Sequence, residues 1–533
     1  MKYLFSGLLL FAFSLTSLAQ DSEKTTTKTD AVVKLDALFT VINYAYVDKV
    51  DNEKMVEDAV VGLLKELDPH SVYIPEKELK KMNEPLEGNF EGIGIQFNIL
   101  KDTITVVSPI SGGPSERLGI MSGDKIVKIE GETVAGTGIK NSDVQKLLRG
   151  KKGTVVEVQI KRRGEKDLIP FAITRDKIPL FSVDASYMAT PEIGYIKVNR
   201  FARTTMKEFR GALDTLVENG AENLILDLRG NGGGYLQTAF LLADEFLGQG
   251  KMIVYTAGDK QSKEEYKATS RGSFEKGKLA ILVDEGSASA SEIVSGAVQD
   301  WDRGMVIGRR TFGKGLVQKP FPLPDGSAIR LTTARYYTPT GRSIQRPYDE
   351  GKEAYYKEIT RRYKSGELME ADSIDFPDSL KFYTPKKRLV YGGGGIMPDV
   401  FIPLDTSLNT DLNRELIRRG VYNEFILTHL DKNRKKYLKD YPNFKQFKKE
   451  FELTDDFMKD FFEYAEKKNV EKDEEEYEES KKLIKTQVTA LLARNLYSTS
   501  AYFEIMNQLN DSFLGAINLI QSDDFEKANL EYE

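Results

Sequence analysis

Three serines stand on alternate positions, Ser287, Ser289 and Ser291, just beyond a short apolar run over residues 280–283. The run reads as a buried strand, and Asp284, Glu285 and Gly286 break it. After the serines, Ile293, Val294, Ala297 and Val298 recur at helical spacing. A strand, a tight turn bearing a hydroxyl and then a helix present a nucleophile well. The helix N-terminus offers unpaired N–H groups that stabilise an oxyanion. The chemistry on offer is attack on a carbonyl through a covalent serine intermediate.

Such a hydroxyl needs a base to take its proton. The chain has two histidines, His70 in LDPHS and His429 in a highly charged C-terminal region. Neither carries a local catalytic signature, and both read as surface or turn residues. Thr311-Phe312-Gly313-Lys314-Gly315 supplies a lysine instead, with glycines on both sides that let the backbone approach a neighbour. To act at neutral pH its pKa must fall from about 10.4 to about 7, at a cost on the order of 4 kcal/mol that burial can supply. Leu316-Val317-Gln318 reads as strand, where Lys314 and Gln318, four apart, face one side. Gln318 can then orient the amine without adding a charge. Spacing alone leaves the three serines equivalent.

SASASEI followed by TFGKGLVQ resembles the carboxyl-terminal processing, or tail-specific, serine proteases. That family uses a Ser–Lys dyad, often assisted by a glutamine. Its lysine lies 25 residues after the serine and its glutamine four after the lysine, which here selects Ser289, Lys314 and Gln318. The resemblance implies Ser289 as nucleophile, Lys314 as general base and then general acid, and Gln318 as its positioner. Glu292 and Asp300 stay outside the dyad, as structural or tuning groups.

A second turn matters: Asp227-Leu228-Arg229-Gly230-Asn231-Gly232-Gly233-Gly234 joins a strand to a helix. Such a turn can cradle phosphate, but it lacks the Lys-Ser/Thr of a P-loop and the GxGxxG spacing. In the resembled family the LRxNxGG turn lines the active site and donates one oxyanion N–H. This implies Gly232 or Gly233 as that donor, with Ala290, just after the nucleophile, as the other.

These groups need a scaffold. Over residues 181–405, strands at 193–198, 224–228, 252–255, 280–283, 305–307 and 329–336 alternate with helices, notably at 205–219 and 235–247. That order predicts an α/β core around a largely buried sheet. Segments 337–345 and 394–399 also resemble family segments. The charged stretch 346–388 between them is longer than a connection needs and reads as a surface insertion without chemistry.

Residues 88–176 read as a compact α+β unit. Ile93, Ile95 and Phe97 alternate in GIGIQF, and strands follow at 103–107, 125–129, 155–161 and 168–174. Helices fall at 114–118 and 142–148, the second with Val144, Leu147 and Leu148 on one face. The order resembles a PDZ domain. Gly92, Ile93, Gly94 and Ile95 would form the loop whose N–H groups hold a peptide's terminal carboxylate, the peptide pairing as an added strand.

Residues 31–84 carry two helical patterns, the second starting near Asp51-Asn52, and LDPHSVYIP ends the helical part. They resemble the family's N-terminal segment, which packs near the binding module and contributes to dimerisation. Residues 407–533 read as helical, with Phe457, Met458, Phe461, Phe462 and Ala465 behind the N-cap Thr454. The acidic run 471–479 reads as a solvated helix face or loop, and helices follow at 483–497 and 501–519. This part is a plain bundle or a dimerisation or adaptor surface; the resemblance covers roughly residues 32–405.

A chain of 533 residues holds about three domains of roughly 150 residues. A net charge of −6 argues against nucleic acid as a partner. With no cysteine there is no disulfide, thiolate metal site or Cys-linked lipid, and two histidines argue against a His-rich metal site, so no cofactor is expected. Residues 1–19 read as a signal peptide, with Lys2 at the start, an apolar run over 4–15 and small residues before Gln20. The run is too short to span a bilayer, and no other stretch suits stable membrane insertion. Export is expected, to the periplasm where the cell has two membranes, with a flexible leader over residues 21–30.

The expectation is a multidomain protein: a helical N-terminal segment, a PDZ-like domain, an α/β protease core and a helical C-terminal domain. It would be an exported serine endopeptidase that engages protein substrates by their C-terminal tails. A silent binding scaffold on the same fold is the alternative, disfavoured because competent residues fill all three catalytic positions. A metal-dependent hydrolase lacks ligands.

Overall fold

The computed structural model describes residues 30–374 and 377–532. The expected signal peptide over residues 1–19 lies outside them, as does the leader except for Asp30, which opens a helix. The chain divides after residue 63 into two units. The first contributes the helix Asp30–Ala45 and most of Asn52–Lys65. Its apolar stripe is uncovered, with Leu38 53 % and Val41 60 % exposed.

Near the start of the second unit, the Asp68 carboxylate accepts from His70 N, Ser71 N and Ser71 Oγ and so folds LDPHS into a turn. The strand Val72–Ile74 follows. The helical part does not end there, since Glu76–Glu87 forms another helix before Gly88 closes it in the left-handed region.

The PDZ-like sheet has the antiparallel order Ile95–Ile99, Ile104–Pro109, Lys125–Ile129, Val155–Lys161, Ile169–Thr174. Ile104, Val106, Ile126, Val158 and Ile173 are buried beneath the helix Asn141–Leu148. That helix turns Val144 and Leu148 into the core, but Leu147 is 39 % exposed. The expected one-face trio holds only for Val144 and Leu148; Leu147, about 100° around the helix from Leu148, sits at the margin of that face. Asn89–Gly92 pairs with Asp176–Pro179, so the chain enters and leaves this domain side by side.

The core holds a six-stranded sheet ordered Val183–Met188, Ile193–Val198, Asn223–Asp227, Leu279–Val283, Met305–Gly308, Val400–Phe401, parallel except for its first pair. Side chains alternate across it. Leu279, Ile281 and Val283 face the helices Thr205–Glu218, Leu236–Asp244 and Ala290–Asp300. Ala280 and Leu282 face Phe513, Ala516, Ile520 and Phe525 at the carboxyl end of the chain. Burial on both faces makes Leu279–Val283 and Met305–Gly308 unbroken apolar runs in sequence.

A second, antiparallel sheet is built on Ala328–Tyr337. Leu316–Pro322 pairs along one side of it, and Val72–Ile74 and Met252–Gly258 share the other. The sheet therefore carries the segment after Lys314 and the segment after His70 on the two sides of one strand.

The C-terminal helices gather Phe425, Phe461, Ile484 and Leu492 into their own core. Thr454 Oγ1 accepts from Phe457 N at 3.2 Å and starts the helix Asp455–Lys467, whose five expected apolar residues are buried. The acidic run enters the helix Glu474–Leu496. The single helix expected over 501–519 is two, Thr499–Met506 and Asp511–Gln521, because Asn510 caps the second by accepting from Phe513 N. The break lets the last helices leave the bundle and close the back of the core sheet.

Candidate active site

The strand Leu279–Val283 delivers the three serines into a turn, and the structure separates them. Ser287 Oγ donates to Leu228 O at 2.8 Å, and Ser291 Oγ donates to Asn231 O at 2.8 Å. Both are fully buried and act as stitches. Ser289 is half-buried and caps the helix Ala290–Asp300 with φ 54° and ψ −109°. A serine outside the allowed regions costs on the order of 1–3 kcal/mol, a strain that surrounding contacts must hold. A strained turn of this kind exposes a hydroxyl at the top of a strand.

What holds it is Glu292. This fully buried carboxylate accepts from Ser289 N at 2.7 Å and Lys314 N at 2.9 Å through one oxygen. Its other oxygen accepts from Gly313 N at 2.8 Å and Thr311 Oγ1 at 2.5 Å. Burial pushes the Glu292 carboxyl up from its usual range, and those four donors pull it back. Tyr336 OH adds a second tie, donating to Ser289 O and to Lys314 O. The sequence reading puts Glu292 outside the dyad, as a structural or tuning group, without naming these partners. The available signal was Ser289-x-x-Glu292, a capping box at the start of an apolar helix.

Lys314 Nζ donates to Gln318 Oε1 at 2.9 Å. Burial, with Arg330 next in effect, lowers its pKa from 10.5 to about 8, while Glu292 and Asp68 oppose the shift. The expected strand alternation is not how the pair meets. The strand begins at Leu316, and the register shifts between Val317 and Gln318. Gln318 Nε2 in turn donates to His70 O at 2.6 Å. His70, read from sequence as a surface or turn residue, is in a turn but packs beside the amine. Burial first, then the charge of Lys314, lowers its pKa from 6.5 to about 4. Its Nε2 meets Tyr355 OH at 2.8 Å. His429 lies elsewhere, against Phe425, Phe457 and Tyr437.

The glycine-rich turn abuts the serine turn. Asn231, fully buried, accepts from Ala288 N through its own carbonyl and donates from Nδ2 to Val198 O at 2.9 Å. A Cβ on Gly233 would fall 3.0 Å from Ser289 Cβ and 3.1 Å from Ala290 N, whereas one on Gly232 would meet nothing. The structure thus sets Gly233, not Gly232, against the Ser289–Ala290 step. In this conformation Gly233 N donates to Asn231 Oδ1 at 2.9 Å. Ala290 is the first residue of its helix, so its N–H has no intrahelical acceptor.

The charged stretch 346–388 is no mere surface insertion. Its helix Lys352–Lys364 packs behind the lysine loop. Arg346, 2 % exposed, lies 3.9 Å from the ring centres of both Phe312 and Tyr355 and donates to Glu358 at 2.6 Å. Arg362 donates to Thr311 O at 2.8 Å, and Arg310 pairs with Glu367 at 2.7 Å. The charges that suggested solvent instead pair with one another around residues 310–314.

In the PDZ-like domain, Gly92 ends a strand, Ile93 is buried in the core, Gly94 has φ 75° and Ile95 starts the edge strand. Ile93, Gly94 and Ile95, with Phe97, Val144 and Leu148, line a narrow groove of about 90 Å³ between that strand and the helix Asn141–Leu148; Gly92 stays outside it. Arg149 also lines it, over the Phe90 ring at 4.4 Å. Among the described residues, no three His, Cys, Asp or Glu side chains gather as a metal site, and no helix is long and apolar enough to cross a membrane.

The family models match in the same order as these parts. Activating protease CtpB N-terminal domain matches residues 10–78, PDZ domain 92–170 and peptidase family S41 192–350. A family of unknown function matches residues 412–498. The carboxy-terminal-processing protease of Bartonella bacilliformis is 36% identical over 348 residues, 64% of this chain and 78% of that protein. The carboxy-terminal processing protease CtpA of Bacillus subtilis is 38% identical over 314 residues, 59% of this chain and 66% of its own length. The solved photosystem II D1 C-terminal processing protease is 26% identical, covering 72% of this chain and 96% of that one, with a TM-score of 0.37. The chain belongs to the carboxy-terminal processing proteases of peptidase family S41, with a PDZ domain ahead of the peptidase core.

Proposed function

We propose that this chain is an exported serine endopeptidase that takes hold of protein substrates by their C-terminal tails. The observation that carries this reading is the buried amine of Lys314, lowered to about 8 and hydrogen-bonded to Gln318. Its backbone shares the Glu292 carboxylate with Ser289. A lysine in that state supplies a neutral base at mildly alkaline pH. Lys314 Nζ leaves Gln318 to take the Ser289 Oγ proton as the oxygen attacks the scissile carbonyl. The oxyanion collects N–H bonds from Ala290 and, once released from Asn231, from Gly233. Lys314 then protonates the departing amine, and water hydrolyses the acyl-enzyme with Lys314 again as base.

The tail's carboxylate is held by N–H groups of the loop Gly92, Ile93, Gly94 and Ile95, and its last side chain enters the adjoining apolar groove. Residues 1–19 support export to the periplasm of a two-membrane cell. The decisive experiment incubates wild type and Ser289→Ala with unfolded proteins that differ only in their last residues. Cleavage that depends on the tail and disappears with Ser289→Ala is expected. Cleavage surviving in Ser289→Ala overturns the nucleophile assignment, and a wild type that binds tails but cleaves nothing favours the silent scaffold.

A further inference from the structure

The edge strand Ile95–Ile99 has a cavity on each side. One is the narrow groove against the helix Asn141–Leu148. The other, about 420 Å³, lies between the same strand and the helices Val421–Asp440 and Glu474–Leu496 of the C-terminal bundle. Ile95 and Phe97 line both, so the two cavities adjoin the same strand. Elsewhere in the PDZ-like domain, Arg163 Nη1 donates to Asp431 O of the bundle at 2.8 Å.

A peptide added to this strand alternates its side chains. With the terminal carboxylate at Gly94, the last and third-last residues face the narrow groove. The second-last and fourth-last face the other way, toward the larger cavity. Gln96, Asn98, Asn423 and Asn495 give that cavity polar walls, and among the described residues Arg494 is its one charged lining residue. Arg494 is exposed. The carboxylate that senses it, Asp184, is hydrogen-bonded to Asn199 Nδ2 at 2.5 Å.

We infer that the C-terminal bundle is the second wall of the tail-binding cleft, and that Arg494 selects substrate tails with an acidic residue second or fourth from the end. The inference rests on the tail-recognition reading above and adds a specificity that a PDZ domain alone would lack. An arginine beside an open polar cavity favours a carboxylate and disfavours an ammonium, and the contact is weakened by salt.

The test uses the full chain carrying Ser289→Ala, so that bound peptide is not consumed. Fluorescent ten-residue peptides with a free carboxylate and an apolar last residue carry Asp, Ser or Lys at both the second-last and fourth-last positions. Anisotropy titration at low salt is expected to rank Asp tightest, about fivefold or more ahead of Lys. Adding Arg494→Glu should invert that order without moving the thermal midpoint, and Arg494→Gln should flatten it. Equal affinities for the three peptides, or an order unmoved by Arg494→Glu, overturn the inference and leave tail recognition standing. If no free-carboxylate peptide binds, or amidated peptides bind as well, tail recognition itself falls and this inference falls with it.

Discussion

The side-chain amide of Gln318 donates to the main-chain carbonyl of His70 at 2.6 Å. A carbonyl can only accept, so this contact fixes which end of the amide is which. Nε2 must face His70, and Oε1 is left to face Lys314. The LDPHS turn thereby sets the polarity of the group that orients the amine. The turn is itself anchored to the second sheet, where Thr332 N donates to Ser71 Oγ at 3.1 Å.

Gln318→Glu should move the pH dependence of peptidase activity upward. A carboxylate beside Lys314 favours the ammonium form, so a higher pH is needed to produce the free amine. Wild-type kcat/KM should rise through about pH 8, following the Lys314 pKa of about 8. The variant's rise should lie at least about one pH unit higher, with a lower rate at pH 7 of about tenfold. A pH–rate profile of both proteins checks this.

The same buried amine should make the native protein less stable near neutrality. Lys314 releases its proton at about 8 when folded and at 10.5 in its ordinary state. Between those values the unfolded chain binds more protons, so stability rises with pH across that window, by up to roughly 3 kcal/mol. Below it both states are protonated and the burial cost is felt in full. Lys314→Met should therefore abolish cleavage yet raise the thermal midpoint at pH 7, with the advantage shrinking above pH 8. Melting curves at pH 7 and pH 10 decide the matter.

Glu292→Gln should damage both fold and rate. Four donors converge on this buried carboxylate, and an amide nitrogen would point hydrogen at two of them. The expected loss is about 2–4 kcal/mol of stability. Release of the Ser289 turn should lower kcat by about 10² beyond that, measured on the fraction that remains folded. Denaturant midpoints and active-site titration separate the two effects.

His70→Ala should be milder than Gln318→Ala. The carbonyl that receives Gln318 belongs to the backbone and survives the substitution; the ring's hydrogen bond to Tyr355 OH and its edge-to-face packing on that ring are lost. An activity loss of less than about tenfold is expected, against about 10² for Gln318→Ala. The wild-type profile should also lack a limb near pH 6.5, since the His70 pKa of about 4 keeps its ring neutral there. Kinetics of the two variants between pH 5 and 9 provide the check.

Local pattern determined much of this protein. Apolar runs fixed the central strands because a sheet covered on both faces strongly favours apolar side chains there. The strand, turn and helix around Ser289 followed from residues adjacent in the chain, as did the Thr454 cap. Motif spacing singled out Ser289, Lys314 and Gln318 only with a family resemblance beside it. Tertiary structure alone decided which two serines are tied down, because Leu228 and Asn231, far away in sequence, accept from the hydroxyls of Ser287 and Ser291. It also decided that the charged 346–388 stretch braces the lysine loop and that the last helices seal the core sheet. Composition marks charges and apolar side chains, but whether an arginine meets water or a carboxylate depends on partners that only folding brings together.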